Sequence, residues 1–246
     1  MESKPFIPKN ILRFDVVDST NEKAKELLDQ AIEEGTVVLA GRQAAGRGRY
    51  GRAWASPPGG LYLSILLTPK ERNAQLLSIL SGLPVVRTLR GFGVEASLKW
   101  PNDVLVHGLK VCGILCEGVY RHDVYWAIVG IGVNVVTDLR RVPQDVQSTA
   151  TSLKKEIGGN VEPESVLAIL LGEYDNFYAI YVGQGTERLL TEYRGLCNTL
   201  GRSVVVQTAK GRISGNAVDI SPAGALVLDS GGKRTEIFEG TLVRAV

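Results

Sequence analysis

The sequence has few of the residues that enzymes use most often for proton transfer and metal binding. Only two of its 246 residues are histidine, His107 and His122, and both lie in polar, turn-like segments. A Ser-His-Asp triad would need one of them as its base, so that mechanism is disfavoured. Cys112 and Cys116 lack companion ligands at zinc-binding spacing. Three cysteines are an odd count in a long chain, which favours reduced thiols over a disulfide framework.

The features of secreted, membrane-spanning and strongly basic proteins are also missing. The first ten residues, MESKPFIPKN, contain no apolar core for a secretion signal, and no apolar run approaches the roughly 18 residues of a membrane span. The 28 Lys and Arg against 26 Asp and Glu leave a formal charge of only +2. Such a balance disfavours bulk binding to nucleic acid or to a membrane surface. We therefore expect a soluble, cytoplasmic protein without a membrane segment.

Two common nucleotide-binding patterns are absent as well. The sequence contains no GxxxxGK[ST] phosphate-binding loop. GIGVN at residues 130–134 differs from the GxGxxG pattern of dinucleotide-binding folds and leads into no convincing helix. A nucleotide site in this chain would have to be built in another way.

What is present is a mixture of helical and strand patterns over the first 196 residues. Apolar residues at helical spacing predict a first helix that includes Ala31 and Ile32 and stops near Gly35, with Ser19 and Glu22 at capping-box spacing. Further helices are predicted in the seventies and eighties (interrupted near Pro84), over 162–181 and over about 186–196. Strands are predicted over 37–41, 61–67, 103–119 (turning at His107-Gly108) and 124–134.

The composition changes at about residue 198. Five short strand candidates follow, separated by KG, SPAG and SGGK turns: SVVVQTA, RISGNAVDI, ALVLD, RTEIF and TLVRAV. Turns at this spacing are typical of a small antiparallel barrel. We therefore predict an α+β fold, with one domain over residues 1–196 and a small barrel over residues 197–246.

Basic residues are concentrated between two of the predicted strands. Residues 35–70 contain Arg42, Arg47, Arg49, Arg52 and Lys70 and no acidic residue. The four arginines lie on a glycine-rich segment, where backbone N–H groups can approach an anion and arginine can bind it with two donors. On this motif alone a small-molecule anion site, an RGG-like RNA contact and a solvated loop all stay open.

Two other polar segments strengthen the anion site. DSTN (18–21) places small polar groups at a helix N-terminus, which favours a carboxylate or a ureido-type acceptor, although helix capping alone would explain Ser19. KWPND (99–103) combines a cation, an indole, an amide and an acid, Asp103, which can help hold magnesium. It can also be a simple turn. Lys110, at the mouth of a predicted strand, can stabilise a developing negative charge or simply be solvated.

The order of these motifs resembles that of the biotin protein ligases. The matching segments are DSTN (18–21), Q-x-x-GRGR-x-GR-x-W (43–54), KWPND (99–103), K-x-x-GIL-x-E (110–117), GIGVN (130–134) and ATSL (150–153). The resemblance spans most of the first 150 residues. It implies a mixed-sheet catalytic domain of the class II aminoacyl-tRNA synthetase/biotin ligase type, followed by an SH3-like β-barrel. Only 17 residues precede DSTN, so we expect the ligase-only form, without the N-terminal helix-turn-helix domain and without DNA binding.

The resemblance implies a two-step reaction with ATP, biotin and Mg²⁺. Biotin's carboxylate attacks the α-phosphate of ATP, and a lysine of a biotin carboxyl carrier protein then attacks the biotinyl-5′-AMP. The implied catalytic residues are Lys110, Arg47 and Arg49. The implied biotin-binding residues are Ser19, Thr20, Asn21, Gln43, Gly46, Arg47, Lys110, Gly113 and Leu115. The implied nucleotide-binding residues are Arg49, Arg52, Trp54, Lys99, Asn102 and Asn134, with Asp103 as the candidate metal ligand.

Two rival functions stay open at this point. A lipoate ligase would share the fold and the adenylation chemistry, although KWPND and GRGR-x-GR favour biotin. A nucleic-acid-binding module built on the arginine loop would show salt-sensitive oligonucleotide binding and no ATP turnover. The family's fold often pairs through sheet edges, so a homodimer is a further expectation.

Overall fold

The strands of the protein form two separate sheets. The computed structural model describes residues 6–70 and 72–245, so the sequence interpretations that involve MESKP, Glu71 and Val246 lie outside the described residues. The larger sheet consists of β1 (Asn10–Val17), β2 (Thr36–Gln43), β3 (Gly60–Leu67), β4 (Ser97–Lys99), β5 (Asp103–Val106), β6 (Leu109–Arg121) and β7 (Val124–Asn134). Its spatial order is β1-β2-β3-β7-β6-β5-β4. β1 pairs with β2 in parallel, and the other neighbours pair antiparallel.

Helices cover both faces of this sheet. They are α1 (Thr20–Leu27), α2 (Ala74–Leu80), α3 (Gly82–Gly91), α4 (Gln144–Gln147), α5 (Leu153–Ile157), α6 (Pro163–Gly183) and α7 (Glu187–Leu196). Alternation along β2 separates two cores, because Val37 and Leu39 pack into the main core and Val38 packs against Ala24 and Leu27 of α1. α1 therefore covers one face of the sheet and leaves the part beyond its N-terminus open.

None of the helices within residues 6–70 and 72–245 combines the length and the apolar composition needed to span a bilayer.

The first helix is shorter than its apolar spacing predicts. α1 ends at Leu27, and Ala31 and Ile32 lie in the irregular segment that follows. The chain has to turn back into β2, and Gly35 is fixed there by hydrogen bonds to Leu66 and Lys9. The capping-box prediction is also wrong, since the Ser19 side chain makes no capping hydrogen bond. The packing of β2 against the sheet determines where this segment turns. The helical periodicity of the sequence does not reveal the position of that turn.

The remaining predicted helices agree with the structure. The helix through the seventies and eighties breaks at Ser81 into α2 and α3, and Pro84 lies in the first turn of α3, where its missing N–H costs little. α6 begins at Pro163, and α7 covers the predicted segment near 186–196. β5 and β6 turn at His107-Gly108 as predicted, with both residues at positive φ.

The terminal part of the chain forms a five-stranded antiparallel sheet. Its strands are β8 (Ser203–Thr208), β9 (Gly211–Ile220), β10 (Leu226–Ser230), β11 (Lys233–Ile237) and β12 (Thr241–Ala245), in the order β11-β10-β9-β8-β12. All five predicted strands are present, and the α+β fold class is confirmed. The domain boundary between residues 196 and 197 stays a prediction.

The two sheets are joined by specific hydrogen bonds. The buried Trp100 donates its Nε1–H to the carbonyl of Gly224 (3.3 Å). Arg194 of α7 donates to Asp219 (2.8 Å) and to the carbonyl of Ile220 (2.7 Å). These contacts hold the terminal sheet against the end of the large sheet where the 99–103 segment lies.

Asn73 serves both the cap of α2 and this junction. Its Oδ1 accepts from the N–H of Leu76 (2.9 Å), and its Nδ2 donates to the carbonyl of Ala223 (3.3 Å). We predict that Asn73→Ala lowers the free energy of unfolding by about 1–2 kcal/mol, because a helix cap and a tertiary hydrogen bond are both lost. Urea denaturation measures this. Ser19→Ala is the control, because the Ser19 side chain makes no capping hydrogen bond. An equal loss of unfolding free energy in both variants would contradict the role of Asn73.

Candidate active site

A cavity of about 230 Å³ opens on the face of the large sheet that carries α1. Its walls come from the loop between β2 and β3, the 99–103 segment, β6, β7 and the start of β12. The predicted site residues that line it are Thr20, Asn21, Gln43, Arg47, Arg49, Arg52, Trp54, Lys99, Asn102, Asp103, Lys110, Gly113 and Leu115. Segments far apart in the sequence therefore meet at one cavity.

Three predicted site residues do not line the cavity. Ser19 is buried at the N-terminus of α1. The carbonyl of Gly46 accepts from the backbone N–H of Trp54 (2.8 Å), which fixes the loop that carries the indole. Asn134 is buried and donates its Nδ2 to the carbonyl of Thr151 (3.0 Å).

The floor of the cavity is made by glycines on two central strands. Gly113 of β6 pairs with Gly132 of β7, and the indole of Trp54 lies over both. A Cβ on Gly132 would lie 2.5 Å from Trp54 Nε1, and one on Gly113 would lie 2.9 Å from the same ring. Only glycine permits this close approach. Trp54 Nε1 is buried without a hydrogen-bond partner among the described residues, so a ligand on this floor would contact or displace the indole.

One end of the cavity is lined by an ordered set of neutral polar groups. Gln43 Oε1 accepts from the backbone N–H of Thr20 (2.8 Å) and from its hydroxyl (3.2 Å), and Gln43 Nε2 donates to Ser56 (2.8 Å). The Ser64 hydroxyl donates to Asn21 Oδ1 (2.6 Å) and lies 2.8 Å from Thr20 Oγ1. These bonds fix which atoms each side chain presents to the cavity.

A count of donors and acceptors shows which groups at this end of the cavity are available to a ligand. Both N–H groups of Asn21 are used, by the carbonyl of Leu115 (3.2 Å) and by Glu117 (2.7 Å). Within the described residues, Gln43 keeps one unused N–H, and Thr20 Oγ1 and Asn21 Oδ1 each keep at least one unused lone pair, since the single Ser64 proton can bind only one of them. This end therefore offers one donor and two acceptors to a ligand.

The middle of the cavity carries an ion pair. Lys110 Nζ lies 2.5 Å from Asp103 Oδ1 and 5.1 Å from the centre of the Trp54 ring. The backbone of Lys110 is fixed by hydrogen bonds with Thr149 and Thr151 (2.8 and 2.9 Å). The ammonium group is therefore held at a defined place beside the glycine floor.

The amide beside this ion pair is fixed by the neighbouring strand. Asn102 donates its Nδ2 to the carbonyl of Ile114 (2.7 Å), and the N–H of Ile114 donates to the carbonyl of Asn102 (3.0 Å). Lys99 lines the same wall.

The three arginines of the loop point to the rim of the same cavity. Arg47 pairs with Glu22 of α1 (2.8 Å). Arg49 donates to the carbonyl of Gly240 (3.3 Å), and Arg52 donates to Thr241 Oγ1 (3.0 Å). The start of β12 in the terminal sheet thus forms one wall of the cavity, beside the loop.

Sequence reasoning did not identify that wall. Gly240, Thr241 and Leu242 line the cavity, yet the segment EGTL carries no pattern that distinguishes it from any other strand entry. Gly130 and Gly132, which also line the cavity, belong to the quoted GIGVN motif and could have been found there.

A charged network extends from the arginine loop to the polar end of the cavity. Lys25 Nζ lies 2.8 Å from Glu22 and 2.7 Å from Glu117, and Glu22 also binds Arg47. The hydrogen bond from Lys25 lowers the pKa of Glu22, against the opposing effect of burial. Burial alone would lower the pKa of Lys25, but its hydrogen bonds to Glu117 and Glu22 raise it above the usual value. Glu22 and Lys25 are therefore charged at neutral pH.

A resident metal centre has no support within residues 6–70 and 72–245, since no three His, Cys, Asp or Glu side chains come together there as ligands. Asp103 contributes a carboxylate to the cavity wall. Magnesium is typically held by one or two carboxylates together with substrate phosphates and water. Asp103 therefore suits a magnesium ion that arrives with a nucleotide.

The sequence of the chain is similar to those of known protein ligases. Residues 13–134 match the Biotin/lipoate A/B protein ligase family. The chain is 32% identical over 228 residues to the bifunctional ligase/repressor BirA of Bacillus subtilis, covering 90% of this chain and 70% of that protein. It is 32% identical over 244 residues to the biotin–[acetyl-CoA-carboxylase] ligase of Mycobacterium tuberculosis, covering 94% and 88%. The chain belongs to the biotin/lipoate protein ligase family.

A solved structure supports the same assignment. The biotin protein ligase from Aquifex aeolicus, in complex with biotin and ATP, is 33% identical to this chain and superimposes with a TM-score of 0.83. The match covers 97% of this chain and 100% of that one. It therefore includes both the large sheet and the terminal SH3-like sheet.

Proposed function

We propose that this chain is an ATP-dependent biotin–[acetyl-CoA-carboxylase] ligase. Its substrates are biotin and ATP, and its intermediate is biotinyl-5′-AMP. One observation carries the proposal: a single cavity has a neutral end with one donor and two acceptors, and beside it a cluster of cations on a glycine floor. The family membership and the relatives named above support the same function.

The neutral end matches the ureido ring of biotin. A cyclic urea presents one carbonyl oxygen, which needs a donor, and two N–H groups, which need acceptors. The unused N–H of Gln43 and the unused lone pairs on Thr20 and Asn21 provide this set. Gly113 and Leu115 of β6 then form the wall along the ring and chain. Gly46 packs closely against this set, since a Cβ there would lie 3.0 Å from Gln43 Nε2, and Ser19 is the residue at which α1 begins.

The cationic part suits the adenylation step. An oxygen of biotin's carboxylate forms a bond to the α-phosphorus of ATP, and the bond from that phosphorus to the bridging oxygen breaks, releasing pyrophosphate. The carboxylate is already a nucleophile at neutral pH, so no base is required. The barrier comes from bringing two anions together, which Lys110, Arg47 and Arg49 lower by balancing their charge in place.

The remaining wall serves the nucleotide. Arg49, Arg52 and Lys99 balance phosphate charge, Trp54 offers an aromatic surface, and Asn102 offers an oriented amide. Asn134 supports this side through Thr151, without lining the cavity. Asp103 would hold the magnesium ion, which neutralises phosphate charge when it is bound.

The second step transfers the biotinyl group to a protein. The amine of a carrier lysine attacks the carbonyl of the mixed anhydride, an amide bond forms, and AMP leaves with the proton lost to solvent. The relatives named as acetyl-CoA-carboxylase ligases point to a biotin carboxyl carrier domain as the acceptor. We place this reaction in the cytoplasm.

Incubation with biotin, Mg-ATP and a carrier domain tests the overall function. Mass spectrometry of the carrier should show one biotinyl group on one lysine. Replacing biotin by lipoate in a parallel incubation should leave the carrier unmodified. Equal or faster lipoylation would favour lipoate ligation, and salt-sensitive oligonucleotide binding without ATP turnover would favour the nucleic-acid module.

The contacts of Arg49 lead to a prediction about retention of the intermediate. Arg49 ties the loop to the terminal sheet through Gly240. We predict that Arg49→Gly releases biotinyl-5′-AMP into solution at least about tenfold faster than the wild-type chain, because the loop no longer shields the anhydride. Chromatography of the filtrate after incubation with biotin and Mg-ATP measures the release. Arg140→Gly, in another short 3₁₀ turn with an exposed arginine, is the matched control. Equal release by all three proteins would contradict the role of the loop.

A further inference from the structure

Glu117 belongs to the K-x-x-GIL-x-E motif, but the proposed function gives it no role. It follows Gly113 and Leu115 at every second position of β6, so its side chain projects from the same face of the sheet as the cavity floor. The side chain is 29% exposed. A carboxylate in such a place is costly unless it is paired, so its partners indicate what it does.

The partners of Glu117 connect it to the polar end of the cavity. Its Oε2 accepts from Asn21 Nδ2 (2.7 Å), and its Oε1 accepts from Lys25 Nζ (2.7 Å). Asn21 and Lys25 lie one turn apart on α1 and face the same strand. Lys25 therefore balances the charge of Glu117, and Glu117 contacts a residue that lines the cavity.

The direction of the Asn21 hydrogen bonds follows from this arrangement. An ionised carboxylate can only accept, so Asn21 has to turn its NH₂ group toward Glu117. The carbonyl of Leu115 takes the second N–H of the same group (3.2 Å). Only Oδ1 is left to face Ser64 and the cavity, directly above Gly130, where a Cβ would lie 2.4 Å from this oxygen.

We propose that Glu117 is a positioning residue that fixes the Asn21 amide with its oxygen toward the cavity, and so determines an acceptor for a urea N–H of the ligand. This inference rests on the proposed function, since it concerns the end of the cavity assigned to biotin. Lys25 contributes to this arrangement, because its ammonium group donates to Glu117 Oε1 (2.7 Å) and holds the carboxylate in place. Glu117 itself does not contact the ligand.

Calorimetry of biotin binding and ATP–pyrophosphate exchange kinetics test this role. Glu117→Ala should raise the Kd of biotin by about tenfold to a hundredfold, which is the usual effect of leaving a buried N–H donor, here on the urea, without its acceptor. The KM for ATP and kcat should stay within about twofold. Glu117→Gln keeps an acceptor oxygen but loses the charge, so a smaller rise of about three- to tenfold is expected. Glu26→Gln, on the exposed side of α1 and paired with Lys23, is the matched control and should change nothing.

The double variant separates positioning from general support of the fold. If Glu117 acts through Asn21, the combination of Asn21→Ala and Glu117→Ala should bind biotin within about threefold of Asn21→Ala alone. Additive losses, or equal losses for biotin and ATP, would show a merely structural role. An unchanged Kd of biotin in Glu117→Gln would also overturn the proposal. If Glu117→Ala does not fold, the Kd of Glu117→Gln is the deciding measurement. Failure of the wild-type chain to bind biotin would overturn the proposed function and this role together.

Discussion

Replacing Lys110 by alanine is expected to lower the rate of biotin-dependent ATP–pyrophosphate exchange by two to three orders of magnitude. Loss of one pre-placed charge at a developing anion typically costs about 3–4 kcal/mol at the barrier. Here the loss is aggravated because Asp103, 2.5 Å from the ammonium group, would keep only the magnesium ion to balance its charge beside the reacting anions. The exchange assay with labelled pyrophosphate measures the effect directly.

The exposed Lys154 of α5 provides the control for this experiment. Lys154→Ala removes the same side chain outside the cavity and should exchange at the wild-type rate. Because the backbone of Lys110 is held by Thr149 and Thr151, the Lys110→Ala variant should keep its fold, and circular dichroism would verify this. Exchange within tenfold of the wild-type rate in Lys110→Ala would remove that residue from the mechanism.

Gly132→Val is expected to abolish most of the exchange activity by filling the cavity floor. A Cβ at this position would lie 2.5 Å from Trp54 Nε1, so the added side chain would displace the indole and fill part of the floor on which the ligand is proposed to lie. Displacement of a reacting group by about 1 Å can cost roughly a hundredfold in rate. We therefore expect a loss of at least about a hundredfold, with a smaller loss in Gly132→Ala. Valine favours strands, so β7 itself should persist.

Gly215 offers a matched position for the alanine variant. It lies in β9 of the terminal sheet, where a Cβ would come within 2.7 Å of Ser230 Oγ, so it is similarly crowded but outside the cavity. Gly215→Ala should lower the unfolding midpoint and leave the exchange rate unchanged. If Gly132→Ala and Gly132→Val both exchange normally, the glycine floor is not the ligand site.

Local patterns were sufficient for much of the fold. The apolar runs of β3 and β7, the hairpin at His107-Gly108 and the five terminal strands were all predictable, because strand periodicity and turn residues act over a few positions. The end of α1 was not, since Ala31 and Ile32 continue the helical spacing while the return into β2 ends the helix. No pattern singled out β1 (Asn10–Val17), which pairs in parallel with β2 across the whole of α1.

The residues of the candidate site were likewise predictable from the sequence only in part. The motifs named most of the residues that line the cavity, because each motif is a short segment with unusual composition. The wall from Gly240 to Leu242 and the contacts of Glu117 with Asn21 and Lys25 could not be predicted. They join residues that lie about 90 or more positions apart, and they exist only after the sheets have packed.

The central claim is that fixed cations in one shielded cavity let biotin's carboxylate and the α-phosphate of ATP react without a base. Incubation of the chain with biotin and Mg-ATP, without any carrier, tests this most directly. Mass spectrometry of the isolated complex should find biotinyl-5′-AMP bound at close to one equivalent per chain, with pyrophosphate in solution. If no adenylate forms and the ATP stays intact, or if lipoate is adenylated as readily as biotin, the account is contradicted.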